Sequence, residues 1–178
     1  MPKAYQLNSA KFITLALADR LDLHLRRLLF SQNHRDATLL LTALKTGARA
    51  RELLNLKAED FCPKKRTLLI IGIKGSKDRE VPLPRYVSEA LEFILKNQSV
   101  ERIFPISYSR LLQIWHFYRP EQKNFHSLRH TFALKAYLKT KDIKLVQLAL
   151  GHRNIVNTMI YMDYAYSLTE MRRLVDNG

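Results

Sequence analysis

Acidic side chains are scarce in this chain of 178 residues: 16 Asp and Glu stand against 30 Lys and Arg, a formal charge of +14. Cysteine is scarcer still. The single Cys62 excludes an intramolecular disulfide framework and a cysteine-cluster zinc site, and it suits a reducing compartment. Glycine and proline number only 5 and 6 against 47% hydrophobic residues, which excludes a disordered or collagen-like chain. Long apolar runs are missing too. Leu68-Leu69-Ile70-Ile71 falls far short of the roughly 18 residues of a membrane span. The opening Met1-Pro2-Lys3-Ala4-Tyr5-Gln6-Leu7-Asn8 lacks the charged-then-apolar layout of a secretory signal. A soluble, cytoplasmic protein is expected.

The excess of basic residues points to a polyanionic partner. Nucleic acid ranks first, an anionic membrane surface second, and plain solubility third. The length suits one domain, and no repeat or linker divides the chain. Apolar positions predict one or two helices over 12–29, a buried helix over 35–45 that stops at Thr46-Gly47, and a short helix over 49–56. The run Thr67 to Ile73 reads as a strand, Lys74 to Asp78 as a turn, and Arg79 to Leu83 as a returning strand. Pro82 in the latter suits an edge. Helical patterns return at 85–96, 107–118, 127–140, 142–150 and 166–176, with Asp142 as an N-cap and Gly151 as a C-terminal stop. The expected fold is mainly α with a small antiparallel β-sheet.

Three local patterns carry chemistry. Thr46-Gly47-Ala48-Arg49-Ala50-Arg51-Glu52-Leu53 puts an arginine just after a helix-breaking glycine. His126-Ser127-Leu128-Arg129-His130 places His126 and Arg129 three apart, on one helix face, where both can address one anion. Leu150-Gly151-His152 is followed nine residues later by Tyr161. Between the first two lies Lys74 in a turn. Two guanidiniums can grip a phosphate and neutralise charge building on its oxygens. A tyrosine hydroxyl can attack phosphorus, but with a free pKa of about 10 only about one in a thousand is phenolate at neutral pH. It therefore needs a base or a cationic surround. A lysine on a turn can protonate the leaving alkoxide. This set fits metal-free transesterification at a phosphodiester. A two-metal nuclease would call for clustered acids, whereas Glu59-Asp60 is an isolated pair.

With TGxRxxEL at 46–53, KGxKxRxVPL at 74–83, HxLRH at 126–130, and LGH at 150–152 with Tyr161, all in order, the chain resembles the catalytic domain of a tyrosine recombinase, the phage integrase family. The resemblance implies that Arg49 and Arg129 clamp the scissile phosphate and that Lys74 protonates the leaving 5′ oxygen. It gives His126 and His152 hydrogen bonds to the phosphate or a part in proton transfer. Tyr161, favoured over Tyr164 by its spacing from His152, attacks to form a 3′-phosphotyrosine. Glu52 is expected to buttress the site, and His130 matches a motif position with a less direct role. The family uses no metal and no cofactor. Its partner is double-stranded DNA, gripped by a homo-tetramer, with accessory DNA-bending proteins in some systems and a place at the nucleoid.

Residues 1–178 read as a single catalytic domain without the N-terminal core-binding domain common in the family, similar in size to the short fimbrial phase-variation invertases. Lys45, Arg51, Lys77 and Arg79 are candidate DNA phosphate contacts, which position a protein without reading sequence. The segment 166–176 either packs on its own domain or docks into a neighbouring protomer. Two other readings stay open: a DNA-binding regulator or degraded recombinase without activity, and a DNA-relaxing enzyme resembling a type IB topoisomerase.

Overall fold

The computed structural model describes residues 11–73, 75–97, 101–165 and 175. Helix α1 (Leu15–Leu28) leads into α2 (His34–Thr46), whose middle is buried on every side: Leu39, Leu40, Leu41 and Ala43 have 1% or less of their surface exposed. A helix buried all round must satisfy its own polar side chains. Thr42 and Thr46 do so by donating to the carbonyls of Thr38 and Thr42, each at 2.7 Å. Helix α2 packs against α1, α4 and α6, so it forms the axis of the fold. It ends where Gly47 adopts a left-handed conformation (φ +62°) and donates its N–H to Ala43 O. A side chain there would strike the Phe132 ring, its Cβ lying 2.5 Å from Cδ1. Helix α3 (Ala50–Leu54) follows at once.

The sheet has three strands, β1 (Phe61–Cys62), β2 (Thr67–Ile70) and β3 (Arg79–Pro82), antiparallel in the order β1-β2-β3. Leu68 faces Val81 and Ile70 faces Arg79, all four buried, while Leu69 and Glu80 point outward. Pro82 lies on edge strand β3, as its missing N–H requires. The two-residue β1 was not foreseen; it carries too short a pattern to register as a strand.

Helices α4 (Arg85–Lys96), α5 (Tyr108–Tyr118), α6 (Ser127–Thr140) and α7 (Ile143–Leu150) fall within a residue of their expected bounds. Asp142 caps α7 by accepting from Leu145 N at 2.9 Å, and Gly151 ends it in the left-handed region. Helix α8 (Val156–Ala165) was not foreseen. Its sequence, rich in β-branched and aromatic residues, has weak helical preference, and packing against α6 and α7 holds it. The helix expected over 166–176 lies outside the described residues apart from Val175.

Two apolar clusters result. The larger joins α1 to α5 and the sheet; the smaller joins Phe12 to α6, α7 and α8 through Leu134, Tyr137, Val146, Leu150 and Tyr161. Helix α6 contributes to both, with Leu128 in the larger and Leu134 in the smaller. Among the described residues no helix is long and apolar enough to cross a membrane.

Candidate active site

Helix ends set this site. Arg49 follows the left-handed Gly47 and stands at the N-terminus of α3, where its own N–H donates to Glu52 Oε2 at 2.8 Å. That bond fixes Glu52 inward, fully buried, and the carboxylate then gathers three guanidiniums. Arg79 Nη2 donates to Oε2 at 2.8 Å, Arg49 Nη1 to Oε1 at 3.2 Å, and Arg129 Nη1 stands 3.9 Å from Oε2. Burial works to raise the Glu52 pKa, but the hydrogen bonds and charge of Arg79, with further help from Arg49 and Arg129, outweigh it and hold the group below the usual carboxylate range.

Arg129 is 2% exposed on the first turn of α6. It donates through Nη1 to Gly47 O and through Nη2 to Leu150 O, each at 2.7 Å, so it ties the end of α2 to the end of α7. A guanidinium has five N–H donors, so others remain for an anion. Burial, then the charges of Arg49 and Arg79, push its pKa down to about 9, and it stays charged at neutral pH. The Arg49 side chain is 30% exposed, so it can meet a ligand from solvent.

The turn between β2 and β3 is docked onto this pair. Arg49 donates to Ser76 Oγ, and Lys77 N donates to Gly151 O at 2.9 Å. Gly151 is required twice over, because its φ is +68° and a Cβ would lie 2.6 Å from Lys77 O. Lys74, on the same turn, lies outside the described residues.

His126, His130, His152 and Tyr161 complete the constellation. His126 and His130, one helical turn apart on α6, meet edge to face with ring centres 4.8 Å apart. His130 Nδ1 lies 2.9 Å from Tyr161 Oη, and His152 Nδ1 lies 2.9 Å from Thr158 Oγ1; each bond's direction follows the imidazole tautomer. Withdrawal from water, then neighbouring positive charge, lowers all three histidines. His126 falls to about 4, His130 and His152 to about 3, so each is neutral at pH 7. Tyr161 is 2% exposed. Together with Arg49 and Arg129, these four side chains line one cleft of about 650 Å³ between α3, α6 and α8. Among the described residues no three His, Cys, Asp or Glu side chains gather to hold a metal ion.

Five of the six residues expected to carry chemistry thus stand around a single cleft. The surface candidates divide. Arg51 and Lys77 are exposed. Lys45 pairs with Asp22 at 3.1 Å, its side chain 22% exposed. Arg79, a candidate DNA phosphate contact, is buried at 7% exposure. Strand alternation puts it on the face of Val81, and its guanidinium is spent on Glu52 and on Ala149 O, to which Nε donates at 2.9 Å. Two contributors were missed: Ser76 holds Arg49 and Thr158 orients His152, and neither left a usable signal in the sequence. His130, expected at a motif position with a less direct role, touches Tyr161 and lies four residues after His126 on one helix face.

The model of the phage integrase family matches residues 17–167. The tyrosine recombinase XerA of Thermococcus kodakarensis is 30% identical over 141 residues, covering 71% of this chain and 50% of its own. A tyrosine recombinase of Pseudothermotoga lettingae is 33% identical over 143 residues, covering 74% and 50%. The chain therefore spans about half the length of these curated relatives. Among solved structures, the XerH site-specific recombinase in its post-cleavage complex with palindromic difH substrate superposes with a TM-score of 0.74 at 25% identity, over 96% of this chain and 54% of that one. The catalytic domain of bacteriophage HP1 integrase gives 0.68 at 25% identity, over 91% and 92%.

Proposed function

Because the chain belongs to the phage integrase family, we propose that it cuts and rejoins DNA strands at specific sites through a covalent link to Tyr161. The observation that carries this reading is the convergence of Arg49, His126, Arg129, His152 and Tyr161 on one cleft. Arg49 and Arg129 hold the scissile phosphate and stabilise the charge on its equatorial oxygens. Their shared partner Glu52 fixes the angle at which they do so. His126 and His152, neutral and close to the same cleft, donate hydrogen bonds to the phosphate oxygens.

Tyr161 Oη forms a bond to phosphorus as the bond from phosphorus to the 5′ oxygen breaks, and Lys74 supplies that oxygen with a proton. The 3′-phosphotyrosine conserves the phosphodiester's energy, so a 5′-hydroxyl of another strand reverses the step and seals the junction. Duplex DNA is the proposed partner, with strand exchange requiring an assembly of four protomers. Recombinases of similar fold have been solved in complex, XerH with its palindromic difH substrate and the Tn1549 transposon integrase with a circular intermediate DNA, which supports that choice.

A nicked suicide duplex tests the reading, its sequence first selected from a random pool by binding to the protein. The wild type is expected to form an adduct that survives denaturant, and Tyr161→Phe none. An adduct on Tyr161→Phe overturns the nucleophile. No adduct on the wild type leaves a DNA-binding regulator. Relaxation of a supercoiled plasmid bearing one selected site, without exchange between two, identifies a relaxing enzyme.

A further inference from the structure

Tyrosine at the core of a protein cannot lose its proton to bulk water, and Tyr161 is 2% exposed. Its hydroxyl needs an acceptor within the fold. We propose that His130 is that acceptor: its Nδ1, 2.9 Å from Tyr161 Oη, takes the phenolic proton as the nucleophile attacks. The inference rests on Tyr161 being the nucleophile of a DNA strand transfer. The distance falls within the roughly 2.6–3.2 Å reach of a general base. Position supports it as well. His130 follows Arg129 directly and packs its ring against His126, so the acceptor is anchored to the same helix that holds the phosphate.

The step balances without any co-reactant. The O–H bond of Tyr161 breaks and an N–H bond forms at Nδ1, while the Oη electron pair makes the bond to phosphorus. The 5′ oxygen departs with the bonding pair and is protonated by the acid on the β2–β3 turn. Religation runs the same proton back, from Nδ1 to the departing Oη. For Nδ1 to accept, the imidazole must carry its resting proton on Nε2.

Charge makes this transfer depend on DNA. Among the described residues, the groups facing His130 include His126 and Arg129 on its own helix, Lys11 ahead of α1, and Tyr161 on α8. With no anion present, burial and the charges of Arg129 and Lys11 keep the imidazole neutral, as its lowered pKa of about 3 reflects. A phosphodiester between Arg49 and Arg129 adds negative charge beside it, which favours the imidazolium. The nucleophile therefore stays a protonated phenol until a phosphate is bound.

Two measurements test this. In free wild-type protein labelled with ¹⁵N-histidine, the His130 ring is expected to show its proton on Nε2; a proton on Nδ1 overturns the proposal. In the suicide-duplex assay, His130→Gln keeps a polar group in the pocket but takes no proton. Its adduct formation at pH 7 is expected to be about a hundredfold slower or more. Its rate should climb tenfold per pH unit between pH 7 and 9, as hydroxide replaces the lost base, while the wild type stays flatter. A sulfur-bridged 5′ leaving group, which needs no acid, should leave the His130→Gln defect in place. Wild-type rates, a flat profile, or rescue by that substrate overturn the proposal, provided that His130→Gln melts as wild type does. If it does not, His130→Asn under the same comparison decides. Failure of the underlying reading shows separately, as a wild type without adduct or an active Tyr161→Phe, and it removes this inference with it.

Discussion

Glu52 is the residue on which most of the site's geometry turns. Its carboxylate is shared by Arg49, Arg79 and Arg129, and in a buried position the loss of one partner leaves uncompensated charge. Glu52→Gln is expected to cost about 3–5 kcal/mol in urea unfolding. Adding Arg79→Gln should recover part of that loss, because one of the stranded cations goes with it. The histidines give a second residue-scale prediction. Each has a folded pKa below the unfolded value of about 6.5, so below that pH the unfolded chain binds more protons. Their contribution is present above about pH 6.5 and is lost as pH falls toward about 4 and then 3. Glu52, also lowered, adds a further loss below the usual carboxylate pKa. The melting temperature should fall across this window, and His152→Gln should flatten the fall.

At the scale of elements, short pieces of chain position long-range chemistry. Gly151 ends α7, admits the β2–β3 turn against its carbonyl, and sets His152 at the cleft. Gly151→Ala meets both a left-handed backbone and the oxygen of Lys77, so it should destabilise by about 1–2 kcal/mol or more. It should also slow cleavage, since the turn that bears Lys74 loses its seat. Asp142→Ala, at the other end of α7, removes only a cap and is expected to cost about 1 kcal/mol in the same unfolding measurement, with cleavage unchanged. Helix α8 shows the opposite dependence. Thr158, Ile160 and Tyr161 do not favour helix by themselves, and the element exists because Tyr161 and its neighbours are buried against α6 and α7.

For the whole molecule, the charge of +14 matters through its distribution. Part of it is internal: Arg79 and Arg129 are buried in a network and contribute structure before they contribute field. Arg51 and Lys77 stay on the surface. DNA affinity should therefore fall steeply with salt, by about a hundredfold from 50 to 200 mM if about four phosphates are neutralised. Lys77→Ala should reduce the slope of log affinity against log salt by about one. Arg79→Ala should leave that slope alone and instead lower the melting temperature. Binding isotherms at several salt concentrations separate the two.

How much of this was legible in the sequence follows from the range of the interactions involved. Local periodicity and capping chemistry determined α2, α4 to α7 and the hairpin, because apolar spacing, Gly47, Asp142 and Gly151 act within a few residues of themselves. Motif order was enough to name Arg49, His126, Arg129, His152 and Tyr161. Tertiary structure alone decided the rest. Only the fold brings His130 across 31 positions to Tyr161, turns Arg79 inward to Glu52, and seats Ser76 on Arg49. These contacts join residues far apart in the chain through the burial of charge and hydroxyl groups. A buried polar group must find its partner wherever packing supplies one, and sequence spacing carries no record of where that is.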